Sequence, residues 1–123
     1  MAISKRAHTL QLLQEGKAVK VYEVAVGATE SPTPTGAFNV SNKLVDPIWY
    51  SDKGRIPAGD PRNILGSRWI GFSGRIGIHG TTKADENTVG KDISNGCIRM
   101  HDADVRELYD YVVEGKSKVT VAD

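Results

Sequence analysis

The sequence holds one cysteine, Cys97, in 123 residues, so it can form no internal disulfide and no multi-cysteine metal knot. It has no apolar run near the roughly 20 residues that a membrane-spanning helix needs. It has no excess of either charge: 16 Lys and Arg stand against 15 Asp and Glu, for a formal net charge of +1. Without a basic tail or an acidic arm, nucleic acid is a poor candidate partner. Internal repeats and low-complexity tracts are absent. The first six residues, Met1 to Arg6, carry charge but no apolar region of the secretory-signal type.

What is present reads as an ordinary globular chain, with 39% hydrophobic and 25% charged residues. Its length predicts one domain, residues 1–123, burying roughly two-thirds of the surface of the unfolded chain. Charge is less even locally than in total. Lys53, Arg55, Arg62, Arg68, Arg75 and Lys83 fall in one stretch with Asp60 as its only acid. Such a stretch is either a solvated basic face or a surface that receives carboxylates.

The first half reads as strands. Thr9 to Leu13 alternates and ends at the turn signal Glu15-Gly16-Lys17, so it pairs with Val19 to Gly27 as a hairpin. Val19 and Val21 share one parity and Val24 and Val26 the other, which predicts a bulge or twist near Tyr22–Glu23. Ser31 to Gly36 is a loop stiffened by Pro32 and Pro34. Ala37 to Val40 is a short strand, and residues 41–68 read as a long irregular excursion of the kind that carries function. Arg68 to Phe72 and Ile76 to Ile78 are buried strands, the second leading into His79. Val105, Leu108, Tyr109 and Val112 follow helical spacing, with Asp102 or Asp104 as cap and Gly115 as stop. Lys118 to Val121 closes the chain as a strand.

The chemistry concentrates in Ile78-His79-Gly80-Thr81 and Ser94-Asn95-Gly96-Cys97-Ile98-Arg99. A lone cysteine is often a small buried hydrophobe. Here the polar, turn-forming residues before it place Cys97 at a corner, where successive amides can cradle an anion. A nucleophilic thiol needs a base or cation nearby. His79 ends an apolar strand beside a glycine and is the favoured base; His8 reads as surface, and His101 as a cap or surface group. A zinc set of His79, Cys97 and His101 matches no common ligand spacing. Position 103 is alanine, where a cysteine phosphatase would carry its arginine. Arg99 lies two residues past Cys97, on the same face of a strand. It either projects into the pocket, where its guanidinium suits a carboxylate, or forms a salt bridge with Asp92 or Asp102.

Taken together, these strings resemble the L,D-transpeptidase catalytic domain of the YkuD type. Seventeen residues separate His79 from the cysteine of Ser94-Asn95-Gly96-Cys97-Ile98-Arg99-Met100. Thr33-Pro34-Thr35-Gly36, Asn63-Ile64-Leu65-Gly66 and Asp104 to Tyr109 are similar to further family segments in the same order. Two positions depart: Asn95 stands where many members have histidine, and Ile64 where a proline is frequent.

The resemblance implies a mainly β fold, a single-domain sandwich or open barrel with one helix in the C-terminal half. It implies Cys97 as nucleophile and His79 as base and then acid, oriented by the Gly80 carbonyl. It further implies an oxyanion site from the amides of Asn95, Gly96 and Cys97, a loop shaped by Ser94, and substrate contacts from Arg99 and Thr81. No metal or organic cofactor is expected. The implied reaction is acyl transfer on peptidoglycan stem peptides. A tetrapeptide stem forms a Cys97 thioester with loss of its terminal D-Ala, and an amine acceptor makes a 3→3 cross-link. Water as acceptor would make an L,D-carboxypeptidase, and loss of catalysis would leave a wall-binding module. Carbapenems are expected as covalent inhibitors. The expected location is the periplasm or cell wall, with any signal or anchor outside this chain.

Overall fold

The computed structural model describes residues 1–123. Its strands are β1 (Ala2–Ser4), β2 (Thr9–Gln14), β3 (Lys17–Gly27), β4 (Gly36–Asn39), β5 (Asn42–Val45), β6 (Trp49–Ser51), β7 (Gly54–Ile56), β8 (Arg68–Ser73), β9 (Ile76–His79), β10 (Asp92–Ser94), β11 (Ile98–Met100) and β12 (Lys118–Ala122). One α-helix, α1 (Asp102–Tyr109), and a 3₁₀ helix at Lys83–Thr88 complete the elements.

Ten strands form one mixed sheet in the order β4-β12-β1-β2-β3-β11-β9-β8-β5, with β10 added beside β3. Strands β4 and β5 are separated by only Val40 and Ser41, yet lie at opposite ends of this order. The sheet therefore curls until its ends approach. Ser41 sits at the join, its amide and hydroxyl donating to the Gly71 carbonyl of β8 at 2.8 and 3.1 Å. Phe38 of β4 and Phe72 of β8 pack across the gap with ring centroids 5.3 Å apart. The mainly β, open-barrel expectation is met by this one curled sheet, and its interior holds a single cluster of 17 buried hydrophobic residues. Leu10, Leu12, Val119 and Val121 enter it by the alternation of strands, and Val105 and Leu108 cover it from α1.

Five local expectations change. The irregularity in β3 lies at Val19 rather than Tyr22–Glu23, because the β2–β3 register slips between Leu12 and Leu13. Val19 and Val21 stay in water, each 53% exposed, while Tyr22, Val24 and Val26 are buried. The two valine pairs thus never compete for one core. The helix ends at Tyr109, short of Val112. Lys43 Nζ takes the carbonyls of Tyr109 and Val112 at 2.8 and 2.7 Å, and the first of these is one that a further helical turn would need. Gly115, at φ 78°, turns the chain toward β12 instead of stopping the helix. Neither Asp102 nor Asp104 caps it; His101 holds the cap position without a side-chain bond. Residues 41–68 are also less irregular than expected, since they contain β5 and the separate β6–β7 hairpin.

Candidate active site

The site grows from strand register. Strands β9 and β11 run parallel with Ile78 opposite Ile98 and His79 opposite Arg99. Strand β8 runs antiparallel to β9 and sets Trp69 opposite His79. Paired residues project to one face, and alternation brings Cys97, two residues before Arg99, alongside Gly77. Ile70, Ile78, Ile98 and Met100 take the other face and are fully buried in the core. One face of three strands thus carries Trp69, His79, Cys97 and Arg99.

His79 is 2% exposed. Its Nδ1 lies 2.7 Å from the Gly80 carbonyl. A carbonyl only accepts, so Nδ1 carries the proton and Nε2 keeps a free lone pair. The Trp69 ring stacks on the imidazole at 6.1 Å and 14°. Burial drives the imidazole pKa down to about 4; the Gly80 hydrogen bond opposes this, and the Arg99 charge adds to it. His79 is therefore neutral near neutral pH.

Gly80 is itself held from behind. A side chain on it would overlap the Asp102 carboxylate, and one on Gly66 would lie 2.6 Å from the same oxygen. Asp102 accepts the Ser67 amide and the Ser67 hydroxyl, both at 2.8 Å. Arg106 Nε donates to it at 3.2 Å. Asp102 thus ties the 66–67 loop to the residue that orients the histidine.

Cys97 is partly exposed. Its Sγ lies 3.6 Å from the Arg75 carbonyl, which takes the thiol hydrogen bond. Burial pushes the thiol pKa up, while the Gly77 amide and the Arg99 charge pull it down. Burial thus favours the neutral form of both the thiol and the imidazole. Gly77 also makes room for the histidine's stacking partner, since a Cβ there would meet the Trp69 ring and the Ile70 carbonyl at 2.7 Å.

The loop before Cys97 is organised by Ser94, whose buried hydroxyl donates to the Cys97 carbonyl at 2.5 Å and accepts the Gly96 amide at 3.2 Å. The Gly96 amide is therefore engaged, and the expected three donors narrow to the amides of Asn95 and Cys97. Gly96 adopts φ 114°, in the region that favours glycine, and a Cβ would lie 2.8 Å from Ile76 Cδ1. The side chain of Asn95 is exposed.

Arg99 pairs with neither Asp92 nor Asp102. Asp92 is held by His8 Nε2 at 2.6 Å and Asp102 by Arg106. The Arg99 guanidinium reaches only Thr88 Oγ1, at 3.3 Å, and leaves its other donors free for a ligand. Thr81 is buried, and its hydroxyl donates to the Met100 carbonyl at 3.1 Å. It lines a cleft of about 570 Å³ with Asp46, Lys83, Asp102 and Arg106, which neither Cys97 nor His79 borders. The basic stretch divides among separate partners: Arg62 binds Asp60 at 2.8 Å, and Arg55 and Arg68 lie over the rings of Tyr50 and Tyr109. His101 lies 3.7 Å from Glu23. No three His, Cys, Asp or Glu side chains assemble as metal ligands.

Trp69, Gly77 and Asp102 were not singled out as site residues by the sequence. Gly77 could have been found by strand parity, two residues before His79, but counting back across the hairpin from Ser73 opposite Ile76 would set Ile70 opposite His79, and a register shift between Gly71 and Ser73 brings Trp69 there instead. Asp102 carries no such signal, because its partner Ser67 is 35 residues away.

The chain is similar to known proteins over nearly its whole length. The family model described as the L,D-transpeptidase catalytic domain matches residues 1–121. YqjB of Bacillus subtilis (strain 168), named as an L,D-transpeptidase, is 43% identical over 127 residues, which is 98% of this chain and 69% of its own length. An L,D-transpeptidase from Mycobacterium smegmatis shares the fold with a TM-score of 0.81 at 22% identity, over 99% of this chain and 57% of its own. L,D-transpeptidase 3 from Mycobacterium tuberculosis, in complex with a faropenem-derived adduct, gives 0.79 at 23% identity over 99% and 59%. The chain thus spans little more than half the length of these two structural relatives.

Proposed function

The chain belongs to the L,D-transpeptidase catalytic-domain family, and on that premise we propose that it is a cysteine acyltransferase of bacterial peptidoglycan. The Cys97 Sγ attacks the carbonyl that joins the terminal D-Ala to a tetrapeptide stem. His79 Nε2 takes the thiol proton, and the amides of Asn95 and Cys97 receive the charge that develops on the carbonyl oxygen. As the C–N bond breaks, the imidazolium returns the proton to the departing D-Ala amine. The resulting thioester is taken by the side-chain amine of a second stem, which gives a 3→3 cross-link and frees Cys97. Arg99, charged and only partly engaged, pairs with a substrate carboxylate. The reaction belongs outside the cytoplasmic membrane, where the polymer lies.

The observation that supports this reading best is the register that seats His79 opposite Arg99, with Cys97 two residues earlier on the same face. The Gly80 bond, which leaves Nε2 free, adds the required tautomer. Water in place of the amine would give an L,D-carboxypeptidase through the same thioester.

Intact mass after incubation with a carbapenem, beside Cys97→Ser, tests the nucleophile. One adduct on the parent and none on the variant is the expected result. A folded parent with no adduct would refute an accessible, activated thiol and favour a wall-binding module. Incubation with a disaccharide-tetrapeptide then separates the acceptors, since a cross-linked dimer marks the amine and a tripeptide alone marks water.

A further inference from the structure

Thr33 is a polar residue 1% exposed and wedged between two stretches of backbone. Its Oγ1 donates to the Gly96 carbonyl at 2.8 Å and accepts the Gly27 amide at 2.9 Å. Its own carbonyl accepts Lys5 Nζ at 2.9 Å. Beside it, Ser31 Oγ donates to the Ser94 carbonyl at 3.1 Å, which also receives the Ala28 amide at 2.9 Å. Pro32 and Pro34 flank Thr33 and restrict its backbone. Gly27 closes the packing: a Cβ there would overlap the Ser31 carbonyl and lie 2.6 Å from the Thr33 amide.

These bonds fix more than the loop's position. In a trans peptide the C=O of one residue and the N–H of the next point in opposite directions, and the chain has no cis peptide. A pinned Gly96 carbonyl therefore aims the Cys97 amide away from Thr33. A pinned Ser94 carbonyl likewise aims the Asn95 amide away from Ser31. These are the two loop amides that no acceptor within the protein takes, whereas the Gly96 amide is engaged by Ser94.

We propose that Thr33, seconded by Ser31, is a positioning residue that aims the two backbone donors of the oxyanion site. The proposal rests on Cys97 as nucleophile. It makes the 27–33 segment part of the acylation machinery through the backbone carbonyls it holds. The hydroxyl is required, because only a group that donates to Gly96 while accepting from Gly27 satisfies both.

Two reactions of the same thiol separate this role from a merely structural one. With a carbapenem, Sγ bonds to the lactam carbonyl carbon and the carbonyl oxygen becomes an oxyanion. The lactam C–N bond then breaks, and its nitrogen takes the thiol proton by way of His79. With iodoacetamide, Sγ displaces iodide from a saturated carbon, the thiol proton passes to solvent, and no oxyanion forms.

In Thr33→Val, which keeps the shape and removes the hydroxyl, acylation should fall about 100-fold while alkylation is unchanged, the loss that follows removal of one oxyanion donor. Thr33→Ser should restore acylation. Equal acylation in Thr33→Val and the parent, or an equal fall in both reactions, would overturn the proposal. Should Thr33→Val not fold, Ser31→Ala carries the same test on the Asn95 amide: slower acylation with intact alkylation supports the proposal, and unchanged acylation overturns it. A parent that forms no carbapenem adduct would instead overturn the nucleophile assignment, and this inference with it.

Discussion

The burial of His79 ties the stability of the fold to pH in a way that can be worked through. The imidazole pKa is 6.5 when free and about 4 in the folded chain. Between these values the unfolded chain binds a proton that the native state refuses, so acid favours unfolding. Stability from this residue is fully present above the unfolded value and is lost as pH falls toward the folded one. At 1.36 kcal/mol per unit, the difference amounts to about 3 kcal/mol in full, and to about 2 kcal/mol between about pH 7 and about pH 4.5. That is a sizeable share of the ~5–15 kcal/mol that holds an ordinary domain folded. Urea unfolding of the parent and of His79→Gln at those two pH values reads it directly. Glutamine cannot titrate, so the variant should lose less stability on acidification than the parent, by about 2 kcal/mol. Asp60 and Glu107, both held below their ordinary values, act in a more acidic window and are common to the two proteins. Identical losses in parent and variant would refute the buried, neutral histidine on which the tautomer argument depends.

Two substitutions test the surroundings of that histidine. Gly77→Ala places a methyl 2.7 Å from the Trp69 ring; it should lower stability by about 1–3 kcal/mol in thermal unfolding and slow carbapenem acylation as the ring is displaced. Asp102→Ala strips the partner from the Ser67 amide and hydroxyl and from Arg106; it should cost about 1–3 kcal/mol in urea unfolding, and unchanged stability would show that water replaces the carboxylate.

The parts of the site legible in the sequence are those whose chemistry is local. His79 with its neighbour Gly80, and Ser94 through Arg99, are short strings in which residue type and spacing already describe an imidazole at a strand end, a turn and a thiol. The strand parity that brings Arg99 to the face of Cys97 is a matter of counting by two. What the sequence hid depends on closure over distance. Thr33 meets Gly96 across 63 residues and Ser67 meets Asp102 across 35, and no periodicity announces either pair. The bulge in β3 was misplaced for a related reason: parity shows that one valine pair must leave the core, but only the pairing with β2 decides where the strand slips. The helix overran because Val112 keeps helical spacing while Lys43, from another strand, claims the Tyr109 carbonyl.

In the proposed reaction, the resting protonation state says where acylation must draw its driving force. Burial pushes the Cys97 thiol up and the His79 imidazole down, so each group is held in its neutral form. A separated thiolate and imidazolium is disfavoured in the free protein, and Arg99, which lowers both pKa values, helps the thiolate only by opposing the imidazolium. On the proposed mechanism, proton transfer therefore becomes favourable as Sγ bonds to the carbonyl carbon, when negative charge passes from sulfur to oxygen rather than resting on sulfur. The charge then lies where the Asn95 and Cys97 amides point, and donors fixed in advance need no reorganisation at that moment. A thiol kept neutral until a carbonyl arrives also reacts slowly with oxidants and electrophiles that act on thiolates. Selectivity for acyl substrates and dependence on the 27–33 brace are, on this account, one property of the site: the less the thiol is activated at rest, the more the reaction relies on aimed backbone donors.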